Sequence, residues 1–249
     1  MNPNPDVRER LHSVRDRIEA ACKRAERSPD EVQLVGVCKR QPLERVVQAI
    51  EAGVTQLGEN YVQALHERRP LIEAQLDPAA AARLRWRMLG GLQRNKARAA
   101  LTLVDAVDSV DRASLAVELD KRAAAADTQL DVCLQVNLSG ESQKSGVAPD
   151  ALSDLLAACV PLSRLRVVGL MTIPAAADDP EASRPAFARL RELRDTLRSA
   201  PGGENLRELS MGMSGDFEVA VEEGATLVRV GTALFGPRDA TSANTGRKP

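Results

Sequence analysis

Aromatic residues are scarce in this chain of 249 residues, which has three phenylalanines, one tyrosine and one tryptophan. Apolar residues still make up 43% of the sequence, so aliphatic side chains and alanine must fill the core. The chain also lacks an apolar run long enough to cross a bilayer, and its first residues are polar and charged. We therefore expect neither a membrane span nor an apolar signal segment.

No charge of one sign dominates, because the chain has 34 basic and 35 acidic residues and a net charge of −1. The chain has no long basic run, so neither nucleic acid nor an anionic membrane is an indicated partner. Its four cysteines, Cys22, Cys38, Cys133 and Cys159, form no Cys-x-x-Cys pair and indicate no zinc or redox site. Free thiols in a chain of this size favour a cytoplasmic protein.

Residues for acid–base chemistry are also few. The two histidines, His12 and His66, fall in predicted helices rather than at strand ends. The sequence indicates no Ser-His-Asp set, no carboxylate pair and no metal cluster. No Gly-x-Gly-x-x-Gly follows the first predicted strand, which disfavours a dinucleotide-binding sheet.

Short apolar runs alternate with helical patterns along the chain. Apolar residues at three- and four-residue steps predict a first helix over 6–27. Strands are predicted at 34–38, 56–58, 86–89, 103–107, 130–136, 167–173, 206–211 and 227–230. Helices are predicted at 42–52, from the second strand to 65, and at 92–101, 111–126, 149–159, 184–198 and 216–223.

Eight strand–helix alternations in about 250 residues fit a single (β/α)8 TIM-type barrel, preceded by the extra N-terminal helix. A doubly wound open sheet is the alternative. We expect one domain over 1–238, because no linker rich in proline, glycine or serine interrupts the chain. The polar segment 239–249 is predicted to be a flexible tail.

Lys39 ends the first predicted strand, in Leu34-Val35-Gly36-Val37-Cys38-Lys39. A lysine there would face whatever the strands enclose. In a partly desolvated mouth an amine loses proton affinity, and a neutral amine can attack an aldehyde and form an imine. The alternative is an ordinary solvated lysine at a strand end.

The last two predicted strands are followed by residues suited to a phosphate group. The seventh leads through Ser210-Met211-Gly212-Met213-Ser214-Gly215-Asp216 into a helix, and the eighth is followed by Gly231 and Thr232. Backbone amides and hydroxyls at such turns bind anions, and barrels commonly hold phosphate between these two loops. Alternatively, Ser214 and Asp216 only cap a helix and Gly231 only makes a turn.

Polar side chains follow other predicted strands. Arg229 could donate a hydrogen bond to a heteroaromatic nitrogen, which must then be unprotonated. If the ligand is a pyridine, its unprotonated ring would be a poor electron sink. An ion pair at the barrel rim is the alternative. Asn60, beside Tyr61, and Asn137 could orient a ring substituent or merely cap helices. Lys96 falls in a first helical turn after the third strand, where a solvated charge at a helix start is the alternative.

Taken in order, these segments resemble the pyridoxal phosphate homeostasis protein family over residues 32–238. Each segment is short, but their order along the chain is specific. The resemblance is carried by Val37-Cys38-Lys39, Gly58-Glu59-Asn60-Tyr61-Val62-Gln63, Leu92-Gln93-Arg94-Asn95-Lys96, Gln135-Val136-Asn137, Ser139-Gly140-Glu141, Gly169-Leu170-Met171-Thr172-Ile173, Leu209-Ser210-Met211-Gly212-Met213-Ser214-Gly215-Asp216-Phe217 and Arg229-Val230-Gly231-Thr232.

The resemblance implies a barrel like the N-terminal domain of alanine racemase, without the second β domain of that enzyme. It also implies that pyridoxal 5′-phosphate forms a Schiff base with Lys39, that the last two loops contact its phosphate, and that Arg229 faces its pyridine nitrogen. The predicted cofactor-binding residues are Lys39, Asn60, Ser210, Met211, Ser214, Gly215, Arg229, Gly231 and Thr232.

The resemblance further implies a carrier that buffers or delivers this cofactor, with apo-enzymes as recipients, rather than an enzyme. We expect a monomer. An inefficient amino-acid racemase, with Lys39 and either Tyr61 or a water as its bases, is one alternative, and a barrel for another phosphate is a second. Cys38 and Gly91 depart from the serine and histidine usual in the family at these positions.

Overall fold

Eight parallel strands close into a barrel in the order in which they occur along the chain. The computed structural model describes residues 6–141 and 143–237. Closure occurs where β1 pairs with β8, with Val35 opposite Arg229. The strands are β1 Gln33–Val37, β2 Gln56–Glu59, β3 Arg85–Met88, β4 Ala106–Val110, β5 Leu130–Gln135, β6 Leu165–Met171, β7 Glu208–Ser210 and β8 Leu227–Val230.

Helices follow the strands and surround the barrel, as a parallel sheet buried on both faces requires. They are α1 Val7–Arg24, α2 Leu43–Glu51, α3 Val62–Glu73, α4 Pro78–Arg83, α5 Ala97–Leu101, α6 Ala113–Ala125, α7 Leu152–Cys159, α8 Arg184–Leu197, α9 Phe217–Glu222 and α10 Thr232–Phe235. None of the helices within the described ranges has both the length and the apolar character needed to cross a membrane.

The extra N-terminal helix is confirmed. Helix α1 packs on α2, α9 and α10, so it covers the side of the barrel where β8 meets β1. Val7, Leu11, Val14, Ile18 and Cys22, which formed its predicted apolar stripe, are all buried. Asp6 caps its start by accepting a hydrogen bond from the N–H of Glu9.

The core is aliphatic, as the composition indicated. The tryptophan and the three phenylalanines are fully buried, whereas the tyrosine is 55% exposed. All four cysteines are free thiols and buried.

Some predicted boundaries differ from the structure. The fourth strand, predicted at 103–107, lies at Ala106–Val110, because the apolar run begins in the turn where the N–H of Leu103 bonds to Ala100. Helix α4 went unrecognised because it buries no residue, and α10 because it has only one turn. The predicted tail 239–249 lies outside the described residues.

Candidate functional site

Lys39 lies two residues beyond the end of β1, at the carboxyl end of the barrel. The N–H of Cys38 bonds to the carbonyl of Gly58 at 2.9 Å, which extends the β1–β2 ladder toward Lys39. Lys39 is half-buried and lines a cavity of about 1050 Å³. Its Nζ lies 5.2 Å from the centre of the Tyr61 ring, within cation–π range. The amine therefore borders a cavity, but among the described residues this cavity is lined from the loops after β1, β2 and β3 and from α3 and α5, and it includes neither Arg229 nor the predicted phosphate contacts.

Asn60 lines the same cavity from the loop after β2. Its backbone is fixed by a close approach to Gly90, because a Cβ at Gly90 would lie 2.2 Å from the carbonyl oxygen of Asn60. The carbonyl of Gly90 in turn accepts a hydrogen bond from Ser109 Oγ at 2.7 Å. Only glycine fits at position 90, so the loops after β2 and β3 can pass each other.

The segment after β3 also lines the cavity, through Gly91 and Lys96. A Cβ at Gly91 would contact only Ser145 Oγ, at 3.7 Å. A Cβ therefore fits at position 91, where the resemblance implied a histidine. Lys96 is exposed, in agreement with a solvated charge.

The loops after β7 and β8 meet at Ser214. Its Oγ accepts hydrogen bonds from the N–H of Gly231 at 3.1 Å and of Ala233 at 3.2 Å. A Cβ at Gly215 would meet no atom within 4 Å, so this turn borders open space. Two amides and a hydroxyl thus converge where phosphate contacts were predicted, and Thr232 is exposed beside them.

These loops also reach the strand that carries Lys39. A Cβ at Gly231 would lie 3.6 Å from the carbonyl oxygen of Val37, two residues before the lysine. The loop after β7 is held in shape by Asp216, which accepts from the N–H of Met213 at 2.6 Å and from Ser183 Oγ at 2.9 Å. The structure therefore brings the end of β1 and the two final loops to one end of the barrel.

Arg229 is buried inside the barrel and is held by two acceptors. Its Nη1 donates to Ser210 Oγ at 3.0 Å and its Nη2 to the carbonyl of Thr172 at 2.8 Å. Burial lowers the pKa of Arg229, and the charges of Asp108 and Asp216 oppose this shift. Because an arginine keeps its proton even so, a fixed cation lies within the barrel.

The hydroxyl of Ser210 is hydrogen-bonded to the buried Arg229 and not to the loops after β7 and β8. It is fully buried and donates to Asp108 at 2.9 Å, while it accepts from Arg229. Met211 is also fully buried. Of the predicted phosphate contacts, Ser214, Gly215, Gly231 and Thr232 are the ones whose positions border the meeting point of the two loops.

A second buried arginine anchors this interior chain of hydrogen bonds. Arg87 donates to Asp108 through Nε at 2.9 Å and pairs with Glu208 through Nη2 at 2.6 Å. Burial alone would lower the pKa of Arg87, but the negative groups around it outweigh burial and raise it. Burial, together with the charges of Asp108 and Glu208, raises the pKa of the neighbouring Cys133 thiol.

The interior network was missed from the sequence. Arg87 and Asp108 interrupt apolar strands, at Trp86-Arg87-Met88 and Val107-Asp108-Ser109-Val110. A charged residue inside a predicted buried strand was the signal, because such a residue must find a partner. Glu59, which ends β2 and lines the cavity, was also not singled out.

Asn137 and the histidines have other surroundings. The amide of Asn137 shapes its own loop, accepting from Ser139 and donating to the carbonyl of Glu141 at 2.9 Å. It is not among the cavity-lining residues in the described part of the chain. His66 lies on α3 at the cavity, and His12 is exposed beside Asp16.

Comparisons with known proteins agree with this arrangement. The family described as alanine racemase, N-terminal domain, matches residues 10–239. A pyridoxal phosphate homeostasis protein of Aquifex aeolicus is 43% identical over 92% of this chain and 97% of its own length. One of Pseudomonas aeruginosa is also 43% identical, over 94% of this chain and 96% of its own.

A solved structure is similar throughout. PipY of Synechococcus elongatus, determined with pyridoxal phosphate bound, is 35% identical and has a TM-score of 0.80, with 93% of this chain and 100% of PipY covered. This chain and PipY are therefore similar in both fold and sequence over most of their lengths. On these grounds the chain belongs to the alanine racemase N-terminal domain family and, within it, to the pyridoxal phosphate homeostasis proteins.

Proposed function

We propose that this protein binds pyridoxal 5′-phosphate as a Schiff base on Lys39 and holds it in reserve for enzymes that need it. The observation that carries the proposal is the approach of the two amide-rich final loops to the strand that precedes Lys39, with a buried arginine in β8 beside them. Relatives that cover almost the whole chain are named for homeostasis of this cofactor, and PipY holds it.

The residues fit the chemical groups of this ligand. Its aldehyde requires a primary amine, which Lys39 supplies. Its phosphate requires amides and hydroxyls, and the N–H groups of Gly231 and Ala233 already converge on one oxygen, that of Ser214. Its pyridine nitrogen requires a donor if it is unprotonated, and Arg229 is a buried guanidinium.

The same arginine favours storage over catalysis. A protonated ring, which an aspartate partner would maintain, favours carbanion chemistry with this cofactor. A guanidinium donates a proton in a hydrogen bond and cannot accept one, so the ring opposite Arg229 would withdraw electrons weakly. The cofactor would therefore be held without being strongly activated.

Borohydride reduction followed by peptide mass analysis tests the attachment. We expect the mass of the reduced adduct on Lys39 and none after Lys39→Ala. Lys96→Ala is the matched control, because Lys96 lines the same cavity and should not be labelled. An adduct on Lys96 or elsewhere in the wild-type protein would refute the assignment.

Transfer of the cofactor to an apo-enzyme tests the proposed storage and delivery. The loaded protein is mixed with an apo-enzyme, and the recovery of its activity is compared with recovery from the same concentration of free cofactor. Reactivation by the loaded protein supports the proposal. If the protein fails to reactivate any apo-enzyme while free cofactor succeeds, delivery is excluded and only sequestration is left.

A further inference from the structure

A second cavity lies at the amino-terminal end of the barrel, away from Lys39. Its volume is about 560 Å³, which is within the size range of small-molecule sites. Arg207 and Thr226, which directly precede β7 and β8, both line it. We call it the arginine cavity, because five of its lining residues among those described are arginines: Arg27, Arg191, Arg194, Arg198 and Arg207.

Three of these arginines come from one face of α8. Arg191, Arg194 and Arg198 recur at steps of three and four residues, the spacing of neighbours on a helix surface. The N–H of Arg198 bonds to the carbonyl of Arg194 at 3.0 Å, so the helical geometry reaches the last of the three. The end of α8 therefore presents a row of guanidinium groups to the cavity.

The end of α9 and the turn after it fix two of the arginines. Arg27 donates to the carbonyls of Val221 at 2.6 Å and of Ala225 at 3.0 Å. Arg191 donates to the carbonyl of Glu223 at 3.1 Å. Both guanidinium groups are thus held against one stretch of five residues, although they come from distant parts of the chain.

Both carboxylates in the cavity wall already have arginine partners. Glu222 pairs with Arg24 and with Arg184, each at 2.6 Å. Glu31 pairs with Arg27 at 3.3 Å. Neither carboxylate is therefore the counter-charge of the other arginines in the wall.

Two arginines of the wall have no such partner. Within the described ranges, the guanidinium groups of Arg198 and Arg207 make no hydrogen bond and no ion pair, and both residues are exposed. Like charges that share a cavity repel one another, and an anion between them would remove that cost. A guanidinium matches the oxygens of a phosphate with two parallel hydrogen bonds.

The rest of the wall limits what the anion can be. Among the described residues the wall has no aromatic side chain, and its uncharged members are Ala25, Gly224 and Thr226. The hydroxyl of Thr226 accepts the N–H of Leu209 at 2.8 Å, which leaves its own proton to donate. A base or other ring would find nothing to stack on. The wall therefore suits a compact anion without an aromatic part.

We propose that the arginine cavity binds a compact anion that carries two or more phosphate groups, at a site separate from the cofactor loops. Arg27 and Arg191 fix the wall, and the free guanidinium groups of Arg198 and Arg207 supply the hydrogen bonds to the anion. This inference does not depend on the proposed function. Because the cavity and the phosphate-type loops lie at opposite ends of β7 and β8, both can be occupied at once.

Equilibrium dialysis with tripolyphosphate as the probe tests the site. We expect the double variant Arg198→Gln/Arg207→Gln to bind about 10-fold more weakly or worse, the scale of one lost hydrogen bond to a charged group. Arg8→Gln/Arg83→Gln is the matched control, because it removes the same charge from exposed arginines on α1 and α4. No binding to the wild type, or equal weakening in both double variants, would overturn the proposal.

Protection from phenylglyoxal locates the anion in the wild type, so the test stands even if the double variant does not fold. Tripolyphosphate should protect Arg198 and Arg207 from modification, as read by peptide mass analysis. Arg8 and Arg83 should react as fast as before. Equal protection at all four arginines would mean diffuse attraction only and would reject a built site.

Loading with pyridoxal 5′-phosphate separates this site from the cofactor loops. After unbound cofactor is removed, the loaded protein should bind tripolyphosphate as tightly as the unloaded protein does. If loading abolishes binding, the anion occupies the loops at Ser214 and Gly231. That result would reject the arginine cavity as the site and leave the proposed function intact.

Adenosine triphosphate separates a free polyphosphate from the phosphate tail of a nucleotide. Because the wall has no ring on which a base could stack, we expect it to bind no more tightly than tripolyphosphate. An affinity for the nucleotide that is about 10-fold higher would show that the base is recognised, and it would overturn the assignment to phosphate groups alone.

Discussion

Two polar regions of the barrel differ in how their charges are satisfied. In the interior, Arg87, Asp108, Ser210 and Arg229 form a continuous chain of hydrogen bonds and are almost completely shielded from water. At the mouth, the Lys39 amine faces an aromatic ring, and Glu59 Oε1 has Arg68 Nε 3.6 Å away but no hydrogen-bond donor among the described residues. Satisfied buried charges are rigid, whereas unsatisfied groups are available to a ligand. The interior network positions Arg229, and the mouth holds the amine that we propose forms the Schiff base.

Asp108→Ala is the variant expected to have the largest effect, because it disrupts the interior network of hydrogen bonds. It removes the carboxylate that pairs with Arg87 and, through Ser210, faces Arg229, so that Arg87 keeps only Glu208 as an ionic partner and Arg229 keeps only the charge of Asp216. Breaking one side of a buried ion pair costs about 3–5 kcal/mol. We expect the free energy of unfolding, measured in urea, to fall by about this amount.

Arg189→Gln is the control for the loss of an ion pair. Arg189 pairs with Glu192 on the exposed face of α8, where such pairs contribute at most about 1 kcal/mol. A loss for Asp108→Ala no larger than for Arg189→Gln would show that the interior network is not what holds the barrel.

Neighbouring glycines at the mouth provide a second, smaller test. Gly90→Ala places a methyl group 2.2 Å from the backbone of Asn60, where no side chain can move aside. We expect a loss of about 1–3 kcal/mol in thermal or urea unfolding, together with weaker cofactor binding as Asn60 is displaced.

Gly91→Ala is the matched variant, one residue away. Its methyl group would meet only Ser145 Oγ at 3.7 Å, so stability should change by less than about 0.5 kcal/mol. If both variants lose the same stability, the cause is backbone entropy and not the close approach of the two loops.

The barrel was predictable because its signal is repeated eight times. Each buried strand appears as a short apolar run with a helix behind it, so an error of three residues at β4 does not change the count. Residues that follow parallel strands lie at the carboxyl end of a barrel. The predicted strands therefore put Lys39, Asn60, Ser214 and Gly231 at that end, where the structure also has them.

The interior network was not predictable in the same way. Its partners come from strands that are distant in sequence, as with Asp108 and Ser210. Which hydroxyl faces inward and which faces a loop depends on the register of closure. Ser210 and Ser214 are four residues apart and of the same type, yet one bonds to buried charges and the other to backbone amides.

The smallest expected effect concerns Tyr61, which separates the carrier from the racemase hypothesis. Tyr61→Phe keeps the ring that faces Lys39 and removes only the hydroxyl. Because Tyr61 is 55% exposed, stability should change by less than about 0.5 kcal/mol, and the Schiff base should form at the wild-type rate.

We also expect the wild type not to interconvert L- and D-alanine, as followed by chiral chromatography. A racemase that uses the hydroxyl as its second base would instead show turnover in the wild type and lose it in Tyr61→Phe. Turnover that survives in Tyr61→Phe but disappears in Lys39→Ala would assign the second base to a water, since the ring alone cannot carry a proton.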